Sequence, residues 1–409
     1  MSWRAVAPGR VNLIGEHTDY NGLPVLPIAI DRAIRIDFRV VGEATVRLDS
    51  PMARFAPFAF QLRRPLEAAD QGDWSNYVRA AARGLLEHGV ELRCGIEGTV
   101  TGDVPIAAGL ASSSALVVAS ALALLKANGV VETISRIELA ELMARAERFV
   151  GLRGGGMDQA ACLHGIAGHA LRIEFEPLRV TPVAVPRRWR WVVASSLVHA
   201  EKSAGARELY NARARQCREA LEGVAGVASV GAGAGRRAEG VPDDRREERA
   251  ARGVAATKRL SYRDLVAEPD LDGVLRRAGR FLAPGLLRRL RHVVMEGRRV
   301  ALAEEAVRNG DMGRFGKLMV RSHQSLRDDY EVSTTELDEM VEVALDAGAA
   351  GARLTGAGFG GCVVALCEER AAAPVMDALA GRFYAPRLGG PPGRDVMFTA
   401  RASGGGRVG

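Results

Sequence analysis

Arg10, Asn12, Glu16, His17, Asp19 and Asn21 fall within one stretch of twelve residues, part of the run Ala7-Pro8-Gly9-Arg10-Val11-Asn12-Leu13-Ile14-Gly15-Glu16-His17-Thr18-Asp19-Tyr20-Asn21-Gly22. A core strand has no use for so many polar groups. Crowded between glycines, they suit a turn that makes several directed hydrogen bonds at once, as a small ligand with many hydroxyls demands. Composition alone leaves a plain polar surface loop open as the alternative.

A second cluster, Pro105-Ile106-Ala107-Ala108-Gly109-Leu110-Ala111-Ser112-Ser113-Ser114-Ala115, joins small residues and hydroxyls to the start of an apolar run. Small side chains let a backbone approach an anion, and free N–H groups at a helix start favour negative charge there. An ordinary helix N-cap has the same look. No GxxxxGK[ST] occurs, so a P-loop is excluded. A third cluster sets Glu147 ahead of Gly151-Leu152-Arg153-Gly154-Gly155-Gly156-Met157-Asp158-Gln159. Three consecutive glycines before an acid let the chain bend around a ligand and present a carboxylate. A flexible connector could carry the same letters.

The elements that must hold these clusters can be read from periodicity. Ala29–Val41 alternates in part with period two and predicts a strand. Ser75–His88 has helical composition, Leu110–Lys126 predicts a helix buried on most faces, and a further helix is expected over Ser135–Phe149. Strand-like runs follow at Ala170–Phe175, Val180–Val185 and Trp189–Ser195. Residues 223–256 change character, from small residues to a charged, turn-rich run, and predict a surface insertion. Helical patterns resume over Leu271–Leu318, strand, helix and strand alternate from Ala352 onward, and Ser403–Gly409 carries little structural signal.

Composition narrows the function. The chain has 409 residues, 47% hydrophobic and 26% charged, enough for two domains with sizeable cores. A net charge of +7 invites a nucleic-acid reading, but the arginines are dispersed and aromatics make up only 5%, so no nucleic-acid module is expected. No apolar run reaches membrane-spanning length, and the first residues lack the features of a signal peptide. Five cysteines without a CxxC pair read as reduced thiols, with no disulfide frame or zinc site, in a cytoplasmic protein.

The first cluster matches, nearly letter for letter, the signature of the galactokinases within the GHMP kinase superfamily, and the resemblance covers almost the whole chain, excepting the stretch after Glu222. The second resembles the family's ATP-phosphate motif P-x-G-A-G-L-S-S-S-A, with Ala107 for Gly, Ala111 for the first Ser and Ser114 for the following Ala. Leu354–Cys362 resembles a third, glycine-rich motif that packs beside the phosphate loop, and Ser322–Ser333 a segment near the domain junction.

The resemblance implies an α+β, two-domain GHMP kinase fold with the active site in the cleft between the domains. Residues 1–186 would form the N-terminal domain and 187–409 a C-terminal domain, ferredoxin-like in part. It implies transfer of the γ-phosphate of MgATP to the anomeric hydroxyl of galactose. Asp158 would face that hydroxyl with Arg10 beside it, and Glu16, His17, Thr18, Asp19, Gly155 and Tyr210 would surround the sugar. Ala107, Ala108, Gly109, Leu110, Ala111, Ser112 and Ser113 would hold ATP, and Ser113 and Glu147 would hold Mg²⁺.

The Gly154-Gly155-Gly156-Met157-Asp158-Gln159 form is closer to the N-acetylgalactosamine kinase branch, so that activity is the alternative; galactose is expected to be the better substrate. A non-catalytic galactose and ATP sensor is disfavoured because Arg10, Ser113, Glu147 and Asp158 are all present. A non-sugar acceptor such as mevalonate or homoserine is disfavoured by Glu16–Asn21. The partners expected are a small sugar and ATP, acting on a monomer, and His199 and His323 are expected to be structural.

Overall fold

The structure, a computed structural model, describes residues 1–151, 154–198, 204–233 and 260–409. Its first sheet is built on a long hairpin, β1 (Ser2–Asn12) against β2 (Pro27–Val41), with β3 (Thr45–Asp49), β4 (Phe58–Gln61) and β5 (Gly95–Gly102) beyond it. Ile28, Ile30, Ile34, Ile36 and Phe38 of β2 are buried, so its partial alternation points toward the core. Helices α2 (Ser112–Ala127) and α4 (Met157–His164) pack on this sheet, and α1 (Ser75–Glu87) and α3 (Arg136–Ala146) pack on them. The unbroken apolar run of α2 is explained by its position: it touches β1, β2, α1 and α4, and every residue from Ser114 to Leu125 is buried. The helix starts at Ser112, two residues later than its composition predicts, because Ala111 sits in the left-handed region at φ 61°. The helix expected to reach Phe149 ends at Ala146 and passes into a 3₁₀ turn, Glu147–Val150.

A two-stranded hairpin, β6 (His169–Glu174) and β7 (Arg179–Ala184), leads to the second half, where β8 (Trp189–Ser195) is followed by α5 (Ala204–Gly233). The predicted insertion is redrawn here: small residues from Gly223 to Gly233 continue α5, and 234–256, like His199, lies outside the described residues. The long helical pattern over Leu271–Leu318 is divided among helices. After α6 (Tyr262–Ala267) come α7 (Leu271–Ala278), α8 (Pro284–Arg308) and α9 (Met312–Asp328), with Pro284 in the first turn of α8 and Asp311 capping α9. Then follow α10 (Thr335–Asp346), β9 (Gly351–Thr355), β10 (Cys362–Glu368), α11 (Glu369–Leu379) and β11 (Met397–Ala400).

The second sheet runs β11-β8-β10-β9, all antiparallel, and its succession of strand, helices, two strands, helix and strand is the ferredoxin-like pattern. The last residues are more ordered than their composition implied: β12 (Arg407–Val408) pairs with Val6 and Ala5, adding an edge strand to the first sheet. The two halves are tied beneath the site, where Thr355 on β9 both donates through Oγ1 to the Asn12 carbonyl and accepts from the Asn12 N–H. Among the described residues no helix is long and apolar enough to cross a membrane.

Candidate active site

β1 delivers Arg10, which is 5% exposed, into a cavity of about 1130 Å³. Its guanidinium grips Asp158 at both oxygens, Nε to Oδ1 at 2.8 Å and Nη2 to Oδ2 at 3.0 Å, and its third nitrogen donates to the Gly109 carbonyl. One fork thus joins all three sequence clusters. Asp158 is in the first turn of α4, which begins after Gly156 at φ 102°.

Past Asn12 the chain turns sharply, with Gly15 at φ 96° and His17 at φ 62°. Thr18 departs from the expected sugar contact: it is fully buried, off the cavity wall, and its hydroxyl donates within the turn, 2.8 Å from the Gly15 carbonyl. Asn21 also braces the turn, donating to the His17 carbonyl at 2.8 Å. Three predicted residues, Glu16, His17 and Asp19, do line the cavity. Burial pushes the Glu16 carboxyl up against the opposing charges of Arg353 and Arg10, and Arg353 Nη2 lies 2.6 Å from its Oε2. Burial, with the charge of Asp158 added, pushes Asp19 up to about 6. His17 is held well below its usual range by burial first, with His292 and Arg353 adding to it. Tyr210, on α5, lies at the same wall, its ring 5.7 Å from that of His17. Gly155 serves from behind: its N–H donates to Asp19 at 3.0 Å, and a Cβ there would fall 2.4 Å from the Asp19 backbone.

The loop before α2 alternates left-handed turns, Ala107 at φ 57°, Gly109 at φ 74° and Ala111 at φ 61°. Such turns aim successive N–H groups at one point, and α2 adds the favourable end of its dipole; no side chain caps that end. Ala107, Gly109, Leu110, Ala111, Ser112 and Ser113 line the cavity, whereas Ala108 is buried behind it. The glycine-rich loop of residues 356–361 lies directly against this turn: a Cβ on Gly109 would meet the Thr355 carbonyl at 2.8 Å.

Glu147 is buried in the same wall. Its Oε2 accepts from Ser114 Oγ at 2.8 Å and from Gln159, while Oε1 is buried with no partner. Burial, with Asp158 adding to it, pushes its carboxyl up to about 7 against the hydrogen bonds from Ser114 and Gln159. Ser114, Gln159 and Arg353 were not singled out from the sequence. The first two lay inside quoted runs, and Arg353 borders the glycine-rich motif by one residue. Three large aromatic side chains, Phe55, Trp74 and Phe149, also line the cavity. His323 is buried against Asp338 at 3.1 Å, away from the cavity.

Family models match along the chain: the GHMP kinases N-terminal domain at residues 76–166, the GHMP kinases C-terminal domain at 303–385, and the galactokinase galactose-binding signature at 2–39. Fold and site together define a GHMP kinase. A galactokinase of Chloroflexus aggregans is 40% identical over 94% of this chain and 88% of its own length, and one of Bos taurus is 35% identical over 98% and 91%. The crystal structure of Lactococcus lactis galactokinase complexed with galactose superposes with a TM-score of 0.79 at 30% identity, covering 99% of this chain and 95% of that one. The chain belongs to the galactokinase family.

Proposed function

We propose that the protein transfers the γ-phosphoryl group of ATP to the anomeric hydroxyl of galactose. The observation that carries this reading is the bidentate Arg10–Asp158 pair, set where the sugar-signature loop and the anion-binding turn share one cavity. Phosphoryl transfer needs alignment and charge stabilisation more than covalent chemistry. Asp158 orients the sugar hydroxyl and accepts its proton, and Arg10 offsets negative charge at the reacting centre. Glu16, His17, Asp19 and Tyr210 bind the remaining hydroxyls. The turn from Ala107 to Ser113 holds the phosphates, and the aromatic lining of Phe55, Trp74 and Phe149 offers the nucleobase its faces.

Glu147 and Ser113 suit Mg²⁺, because Oε1 of Glu147 is a buried carboxylate oxygen without a partner and Mg²⁺ takes one or two carboxylates alongside water and phosphate oxygens. Bound there, the ion would neutralise charge on the transferring phosphate. We read residues 1–186 and 187–409 as the two domains of a monomeric, cytoplasmic enzyme.

A coupled assay over galactose, N-acetylgalactosamine, glucose and mevalonate tests the reading. Galactose should give the highest kcat/KM, and glucose should be poor because its inverted fourth hydroxyl leaves buried polar groups unpaired. A higher kcat/KM for N-acetylgalactosamine would overturn the sugar assignment, and binding without turnover would make the protein a sensor.

A further inference from the structure

We propose that Cys162 is a positioning residue for the Arg10–Asp158 pair: its thiol, donating to the Pro8 carbonyl, sets α4 against β1 one helical turn behind the pair. The proposal rests on the reading of that pair as the reacting centre. Cys162 is fully buried on α4, four residues beyond Asp158, and its Sγ lies 2.9 Å from the Pro8 oxygen. A carbonyl has no hydrogen to give, so the thiol is the donor. Four residues of helix span about 6 Å and two residues of strand about 7 Å. The salt bridge and the thiol contact are therefore two rungs between the same two elements.

The pairing of β1 explains why Pro8 needs this donor. The register of β1 on β2 shifts between Pro8 and Arg10. Ala33, opposite Pro8, turns away: its N–H donates to Asp103 Oδ1 at 2.8 Å, and its carbonyl accepts from the Asp103 N–H at 3.3 Å. A pair that exchanges no hydrogen bond leaves the Pro8 carbonyl facing the other edge of β1. There β12 pairs with Ala5 and Val6, and its register, continued, would bring Gly405 opposite Pro8. The chain does not follow that course. The Gly405 N–H donates to the Gly165 carbonyl and the Gly406 N–H to the Cys162 carbonyl, each at 2.7 Å. A gap opens beside Pro8, and the Cys162 side chain fills it while the Cys162 carbonyl holds the segment that turned aside.

This contact acts through position. Arg10 follows Pro8 by two residues, and its own N–H donates to the Leu110 carbonyl at 3.1 Å, which ties β1 to the turn before α2. Without the second rung, α4 would be free to pivot about the Arg10 fork and carry the Asp158 carboxylate out of line, where small misplacements are costly. Burial, with the charge of Asp158 adding to it, pushes the Cys162 thiol up, so it keeps its hydrogen near neutrality.

The test compares Cys162→Ser, which keeps a small donor, with Cys162→Ala, which removes it, and Cys162→Val, which removes it at similar volume. Cys162→Ser should keep kcat within about twofold of wild type, because a hydroxyl donates as well. Cys162→Ala and Cys162→Val should lower kcat roughly tenfold at temperatures where they stay folded, with the KM values for galactose and ATP little changed. A merely structural role would lower the unfolding temperature and leave kcat alone. The infrared S–H stretch reads the contact directly: the wild-type minus Cys162→Ser difference should show a band shifted to low frequency by hydrogen bonding. On an Asp158→Asn background, Cys162→Ala should lower the residual kcat no further. A free-thiol band, wild-type kcat in Cys162→Ala, a Cys162→Ser variant no more active than Cys162→Ala, or an undiminished loss on the Asp158→Asn background overturns the proposal. Near-normal turnover in Asp158→Asn itself would instead overturn the reading of the reacting pair.

Discussion

Asp158 and Asp19 carry charges that face one cavity, yet their surroundings differ: Asp158 is clamped at both oxygens by Arg10, while Asp19 has only backbone donors, among them the Gly155 N–H. That difference assigns them different tests. Asp158→Asn keeps the shape and removes the charge, and it should lower turnover by about a thousandfold or more while leaving thermal unfolding and nucleotide binding close to wild type. Near-normal turnover in the folded variant would remove Asp158 from the chemistry. Asp19 ionises at about 6, above its usual value, so between about pH 4 and pH 6 the folded protein holds a proton that the unfolded chain has released. The ionised form is therefore a source of instability that grows as pH rises through this window. Sugar hydroxyls donating to the carboxylate would favour ionisation, so galactose binding at about pH 5.5 should expel part of a proton. Calorimetry in buffers of different ionisation enthalpy should show this release, its decline to zero toward pH 8, and its loss in Asp19→Asn. A buffer-independent heat at the lower pH would count against Asp19 as a sugar ligand.

At the level of elements, the turn before α2, proposed to hold the phosphates, depends on two loops that approach closer than side chains permit. Gly109 at φ 74° lies against the Thr355 carbonyl, and Gly356 at φ 90° lies against Gly109 in return. Gly109→Ala should cost about 1–2 kcal/mol from the backbone angle alone and more from the displaced glycine-rich loop. Urea unfolding should report the first effect and a raised ATP KM the second; an unchanged KM would mean that the turn does not hold the phosphates. The sequence made the parts of this arrangement legible. Alternation in β2, the apolar run of α2 and the three polar clusters reflect local periodicity and composition, which survive in a linear reading. Other features are settled by distant partners. Ala111 delays the start of α2 because the turn before it needs a left-handed residue, Ser114 binds Glu147 across 33 positions, and Arg407–Val408 becomes a strand only because β1 offers an edge. Thr18 looked like a ligand because it sits among the residues expected to bind the sugar, yet its hydroxyl closes the turn. No spacing rule separates those roles.

Across the whole molecule, the loop after β1, proposed to bind the sugar, is held from below by charges that belong to the second half of the chain. Arg353 on β9, fully buried, reaches Glu16 at 2.6 Å and the Asn12 carbonyl at 3.1 Å. Glu296 on α8 accepts from the Gly15 N–H at 2.9 Å and from Ser322 at 2.7 Å, and Arg299 lies 2.6 Å from its other oxygen. The charges of Arg299, His292 and Arg353 hold Glu296 down at about 2 against its own burial. The loop that is to bind the substrate is thus fixed by the packing of one half on the other, and damage to that joint should appear in stability before chemistry. Arg353→Met is the decisive case. It keeps the bulk but leaves Glu16 a buried carboxylate without its main partner, a loss of roughly 3–5 kcal/mol at neutral pH. The Glu16 carboxyl already lies above its usual value, and removing the cation raises it further. A raised folded value means that the deficit is small below the unfolded carboxyl range, near pH 4, and grows as pH rises and ionisation must be suppressed. Chemical unfolding across that range should show the widening gap, and adding Glu16→Gln to Arg353→Met should recover much of the lost stability without restoring galactose affinity. A deficit that does not depend on pH, or one that the second substitution leaves in place, would mean that Arg353 acts through packing and that charge has no part in joining the two halves.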